Sequence, residues 1–246
     1  MSTNSSQHRF PGRRRQRGAV LLLLIMVMGL AVSSLLVAAF NRPADTSRQQ
    51  AQTRAAMAAA KDALIGYAVI HRRLPRPAIS ATDGHESAQP CADESACTGF
   101  LPWMTLGLTA GDGWGKLLRY SVSPDYANAP VDQRRPAATK TVLDRAPDGT
   151  WFYRAGTDNC YVDDRCSPAV ILSSGRHLGV SVAGITQASD IRDNEDEQIN
   201  EAATKDFIAR TATDDPRALG GSFSNAVSWI PLTLIRNRIR ATAPKT

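Results

Sequence analysis

No charged residue falls between Gly18 and Asn41, and no acidic residue falls in the first 18 positions. A run of that kind excludes an ordinary surface helix, which sets charged residues opposite its apolar stripe. The missing acids leave Arg9, Arg13, Arg14, Arg15 and Arg17 without a local counter-charge. There is no internal repeat, which excludes solenoid and propeller architectures. Signatures of common chemistry are absent as well: no His-Glu-x-x-His, no Gly-x-Ser-x-Gly and no phosphate-cradling glycine loop. The four histidines (His8, His71, His85, His177) are scattered. Ser173 and Ser174 precede a glycine with no base nearby in the sequence and read as turn residues. These absences point away from an enzyme.

The apolar run itself is present in full. Residues 19–40 are 22 uncharged, mostly apolar positions. As a helix they extend about 33 Å, against a hydrocarbon core of about 30 Å. The run is longer than the roughly 7–15 apolar residues of a cleaved secretion signal. With the arginines in front, the expected topology is a single-pass inner-membrane anchor in contact with lipid. The N-terminus would be cytoplasmic and the remainder outside. The expected segments are a basic leader over 1–18, a transmembrane helix over 19–42 and an external domain over 43–246. Of the formal net charge of +6, five units fall in the leader, leaving +1 for the rest. A nearly neutral remainder has no basic footprint, so nucleic acid is set aside as a partner.

Beyond Pro43, the stretch DTSRQQAQTRAAMAAAKDALIGYAVIHR resumes a helical pattern rich in alanine. Ala56, Ala60, Ala63, Tyr67 and Ile70 recur at three- and four-residue steps and predict the packing face. One helix is expected from about 19 to 72, with LPRP at 74–77 ending it. A polar loop over 78–99 follows, and then short β-like runs: KLLRYSV (116–122), TWFYRAG (150–156), AVILSS (169–174) and HLGVSVAG (177–184). Turn residues between them predict an antiparallel sheet. SDIRDNEDEQINEA (189–202) reads as an acidic loop, and SFSNAVSWIPLTLIRNRI (222–239) as a last apolar element. Cys91/Cys97 and Cys160/Cys166 each enclose five residues. Three connectivities are open. Outside the cytoplasm local disulfides are favoured, because each pair has its own polar loop. A zinc site fits poorly, since its paired ligands usually stand two to four residues apart.

A basic leader ending in glycine, followed by an apolar helix and a small α+β domain, resembles the type IV pilin superfamily, which includes type II secretion pseudopilins. DGWGKLLRY (112–120) is similar to the DPWGxPYxY segment of major pseudopilins. AVILSSGRHLG (169–179) is similar to their strand-then-loop segment. LIGYAVIHRRLPRPA, LPWMTLGL and VSWIPLTLIRNRI resemble pilin-like proteins with inserted disulfide loops. The resemblance implies an α+β, pilin-like fold: a long N-terminal helix, half membrane-spanning and half periplasmic, packed on an antiparallel sheet. It implies cleavage by a prepilin peptidase after Gly18 and methylation of Ala19. The usual first-position Phe is Ala19 and the usual fifth-position Glu is Leu23, a loss more often tolerated by minor, tip-located subunits.

On this resemblance the chain is a structural subunit of a type IV pilus or type II secretion pseudopilus, with other pilin or pseudopilin subunits as partners and incorporation into a filament. The alternative is an uncleaved single-pass inner-membrane protein whose periplasmic domain binds envelope partners. Loops 78–99 and 123–149 are the expected recognition surface of a tip subunit. Major pseudopilins also bind calcium near the acidic segment. Here Asp190, Asp193, Asn194, Asp196 and Glu197 are the candidate ligands, toward the six to eight or so oxygens that calcium takes. The segment lacks EF-hand spacing, and Arg176 and His177 stand where a further Asp-Gly would be expected.

Overall fold

The computed structural model describes residues 17–130, 137–160, 165–187 and 194–241. The chain divides into two compact units, Met1–Ser47 and Arg48–Thr246. Helix α1 (Arg17–His71) contributes to both.

In the first unit, the side chains described for residues 21–34 are all exposed. The serine hydroxyls turn back on the helix: Ser33 donates to the carbonyl of Gly29 at 2.8 Å and Ser34 to that of Ala31 at 2.8 Å. No helix among the described residues is long and apolar enough to cross a membrane. This overturns the transmembrane span expected over 19–42, and with it the inner-membrane placement with a cytoplasmic N-terminus and a periplasmic domain. The apolar residues whose side chains are described, 21–34, number 14, against the roughly 20 that a spanning helix uses.

In the second unit, α1 buries Thr53, Met57, Ala60, Leu64 and Ala68. The three- and four-residue steps form one stripe, rotated from the expected one. Met57 and Leu64 remove more apolar area from water than alanine can, so they turn inward. Ile70 stays 76 % exposed. Arg72, with φ 59°, ends the helix in the left-handed conformation, and Pro75 and Pro77 prevent its resumption.

Four strands form the main sheet: β1 (Thr98–Phe100), β2 (Arg119–Val122), β5 (Ala169–Ser173) and β9 (Ala226–Trp229), in the order β1-β2-β5-β9 and antiparallel throughout. A second sheet has the order β4-β3-β8, from β3 (Thr141–Arg145), β4 (Trp151–Ala155) and β8 (Asp206–Ile208). Its β3–β8 pair is parallel. A small ribbon joins β6 (Gly179–Val180) to β7 (Thr186–Gln187). Helices α2 (Pro124–Asn128), α3 (Glu195–Ala202) and α4 (Leu232–Ala241) complete the unit. The class is α+β, but the expected long helix on one antiparallel sheet is corrected. Among the described residues the core is mainly sheet and loop, three sheets stand in place of one, and α1 supplies its five-residue stripe with Ile65 packed beside it.

The run AVILS of β5 is buried at every position. Its side chains alternate between two cores. Ala169 and Ile171 join Leu64, Tyr120, Tyr126, Ile230 and Ile235, while Val170 joins Val142 and Phe207 from the second sheet. The expected loop over 123–149 contains α2 and β3, and the expected acidic loop is helical from Glu195.

Candidate functional site

The DGWGK turn fastens the second unit's part of α1 to the sheets. Asp112 Oδ1 accepts the backbone N–H groups of Trp114 at 2.8 Å and Lys116 at 3.0 Å. Its Oδ2 accepts the Ser173 hydroxyl at 2.5 Å, from the end of β5. Gly113 N–H donates to Thr53 Oγ1 at 3.1 Å, and a Cβ on Gly113 would lie 2.0 Å from the Gln49 carbonyl oxygen. Only glycine admits that approach. Lys116 is buried and donates to the Leu178 carbonyl at 2.6 Å. Burial pushes its ammonium pKa below the ordinary lysine value, against the opposing pull of Asp112, Glu201 and Glu197. Ser173 is therefore a turn partner whose hydroxyl is committed to Asp112.

Of the candidate calcium ligands, Asp190 and Asp193 lie outside the described residues. Asn194, Asp196 and Glu197 come together at the start of α3, and all three are fully buried. Asp196 Oδ1 accepts from Arg145 at 2.9 Å, and Arg210 Nε lies 2.7 Å from Oδ2 in an ionic contact. Glu197 accepts from Asn194 Nδ2 at 3.0 Å, from the Ser224 hydroxyl at 2.8 Å and from Ser224 N–H, and it contacts His177 Nδ1 at 2.9 Å. The described carboxylates thus face cations and N–H donors supplied by this chain. Among the described residues, no group of three or more His, Cys, Asp or Glu is placed to hold a metal ion. Ser224, His177 and Glu197 do not form a proton relay either. Serine and carboxylate both approach Nδ1, and Nε2 accepts from Arg176 at 2.9 Å.

At its other end α3 is held by Arg119, which donates to the carbonyls of Asn200 at 2.8 Å and Ala203 at 3.4 Å. A cation there completes a helix C-terminus. Asn200 fixes β8 by accepting from Ile208 N–H at 2.7 Å and donating to the Ile208 carbonyl at 2.8 Å.

A second polar centre has no signal in the sequence. Glu86, from the first loop, accepts from the Tyr67 hydroxyl at 2.6 Å, from Arg76 N–H at 2.9 Å and from the Arg73 guanidinium. Its own N–H donates to Thr105 Oγ1 at 2.7 Å. Burial pushes the Glu86 carboxyl upward, but the hydrogen bonds from Arg73, Tyr67 and Arg76 outweigh it and hold the pKa below the usual value. Burial and this carboxylate push Tyr67 up to about 12. Lys140, fully buried, forms an ion pair with Glu94 and donates to the Thr204 carbonyl at 2.8 Å.

Both disulfides are local, Cys91–Cys97 and Cys160–Cys166. Gly18 and Ala19, the expected processing site, lie in the first turn of α1, while residues 1–16 of the leader lie outside the described residues. Directly beyond that turn come Leu21, Leu22, Leu23, Leu24, Ile25, Met26, Val27, Met28, Leu30 and Val32, all 55–73 % exposed. This apolar segment is the largest uncovered feature of the described first unit. Comparison with protein-family models, with curated proteins and with solved structures finds no match to the chain.

Proposed function

We propose that this chain is a structural subunit of the type IV pilin or type II secretion pseudopilin kind, a minor one, that enters its assembly through the apolar segment 21–34 after removal of the leader at Gly18. The observation that carries the reading is the exposure of ten large apolar side chains on one charge-free helical segment. Fully burying each such side chain stabilises by about 1.5–3 kcal/mol, so a bundle of these segments from neighbouring subunits has a large driving force. The five leader arginines stand directly before that surface. Charges carried into an apolar bundle are strongly disfavoured, so cleavage is the step that makes the segment fit for assembly. Leu23 offers no carboxylate to the new amine of Ala19, which suits a subunit present in few copies among neighbours that have one.

The test is the N-terminus of the protein produced with and without a prepilin peptidase, by intact mass and terminal sequencing. A chain beginning at methylated Ala19 only when the peptidase is present is the expected result. A chain that retains RRRQRG in the presence of an active peptidase contradicts the reading.

A further inference from the structure

Strand β4 does not run evenly along β3. Leu143 stands opposite Tyr153 while Val142 stands opposite Ala155, so Arg154 is an extra residue in a β-bulge. A bulge re-aims a side chain, and bulges recur beside functional sites. The Arg154 guanidinium is tied at one end, where Nε donates to Asp144 Oδ2 at 2.7 Å. Its two terminal nitrogens have no partner among the described residues, and the side chain is 47 % exposed.

Arg154 stands on a cavity of about 460 Å³. Small-molecule sites span about 300–1,000 Å³. Three segments of the second unit build this one. The first is the end of β4 and the chain just beyond it. Gly156, at φ 106°, passes so close to β3 that a Cβ there would lie 2.9 Å from Thr141 Cβ. Glycine alone admits that passage, and it brings Thr157 and Asp158 to the cavity wall. The Tyr153 hydroxyl donates to Asp158 Oδ1 at 2.8 Å, which fixes the ring. The second segment is the junction of β9 and α4, from Trp229 to Thr233. Trp229 is half-buried and packs against the cluster of Val142, Val170 and Phe207. The third is Ser167, whose Oγ reaches the Ile230 carbonyl at 2.9 Å and holds that junction to the start of β5.

The chemistry of the wall selects among ligands. Asp144 offsets Arg154, and the other charged residues of the wall, Asp158 and Arg165, are opposite in sign. An ionic ligand would need a net charge that the cavity does not offer. A purely apolar one would strip water from the guanidinium, carboxylate and threonine hydroxyls without replacing their hydrogen bonds. What remains is an uncharged molecule with an apolar face and a rim of groups that both donate and accept.

We propose that this cavity binds a neutral saccharide. The rings of Trp229 and Tyr153 meet its C–H face, and the Arg154 fork and the Asp158 carboxylate divide between them the acceptors and donors of neighbouring hydroxyls. None of the lining residues belongs to segment 21–34, so the site stands or falls apart from the functional reading.

The test uses the full chain with its four tryptophans labelled with ¹⁵N, the indole signals being assigned by single Trp→Phe exchanges. Cellobiose, maltose, lactose and diacetylchitobiose are each added up to about 50 mM, since a ligand of so few atoms binds at millimolar order. At least one should shift the Trp229 indole signal saturably and leave those of Trp103 and Trp114 in place. Arg154→Lys keeps a charge against Asp144 but loses the planar fork. It should weaken that binding about tenfold with the thermal midpoint unchanged. Glucuronate should shift the signal no more than glucose does. Four inert disaccharides overturn the proposal. Saturable binding of glucuronate alone overturns it too, because the site would then be one for anions. Saccharide binding that Arg154→Lys leaves unaltered also overturns it.

Discussion

Glu86 collects donors from three directions, and that arrangement sets a pH dependence. Its folded pKa lies below the ordinary carboxylate value, so folding favours the ionised form. The contribution is complete above the unfolded pKa and is lost as pH falls through the folded one. Glu86→Gln keeps the shape but removes the charge that faces Arg73 and Arg76. We expect a loss of about 2 kcal/mol at neutral pH. The gap to the parent protein should shrink as the pH is lowered from about 6 toward 2, followed by urea denaturation. An equal gap across that range would contradict the assignment. This centre is not legible in the sequence, because Arg73 and Tyr67 stand 13 and 19 residues before Glu86 and no local pattern links them to it. The acidic segment reads as a loop for a related reason: a charge run is usually solvated, and the arginines that pair with Asp196 come from positions 145 and 210, outside the segment.

At the level of elements, the DGWGK turn is where α1 and the sheets of the second unit lock together. Gly113→Ala puts a methyl group against the Gln49 backbone, which has no flexible end to move aside. We expect destabilisation of about 1–3 kcal/mol by thermal unfolding, with the far-ultraviolet spectrum unchanged. Elements with a strong local signature were legible. The AVILS run of β5 is buried on both faces and reads as a continuous apolar strand, and the Trp-Phe-Tyr run falls in β4. Strand β8 was not. Only Phe207 and Ile208 mark it as apolar, and its parallel partner β3 lies more than 60 residues earlier. The packing face of α1 reads from the sequence as Ala56, Ala60, Ala63, Tyr67 and Ile70 because alanine dominates the composition there. Burial instead followed Met57 and Leu64, where the apolar area is greatest.

For the whole molecule, the proposed assembly through segment 21–34 can be tested apart from the folding of the second unit. Leu24→Asp with Val27→Asp should abolish incorporation into filaments, scored by sedimentation of sheared surface fractions. Its thermal midpoint should stay close to the parent's, since exposed substitutions usually change stability by no more than about 0.5 kcal/mol. Normal incorporation by this variant would refute the proposed route of entry. The two disulfides bear on how the molecule is made. Each ring spans a sequence separation of 6, so each cysteine finds its native partner as its nearest one along the chain. Neither bond reaches between strands remote in sequence, and neither dictates the order in which the sheets are threaded. Oxidation can thus follow folding, and a chain still carrying four thiols has the same path to its topology as the finished protein.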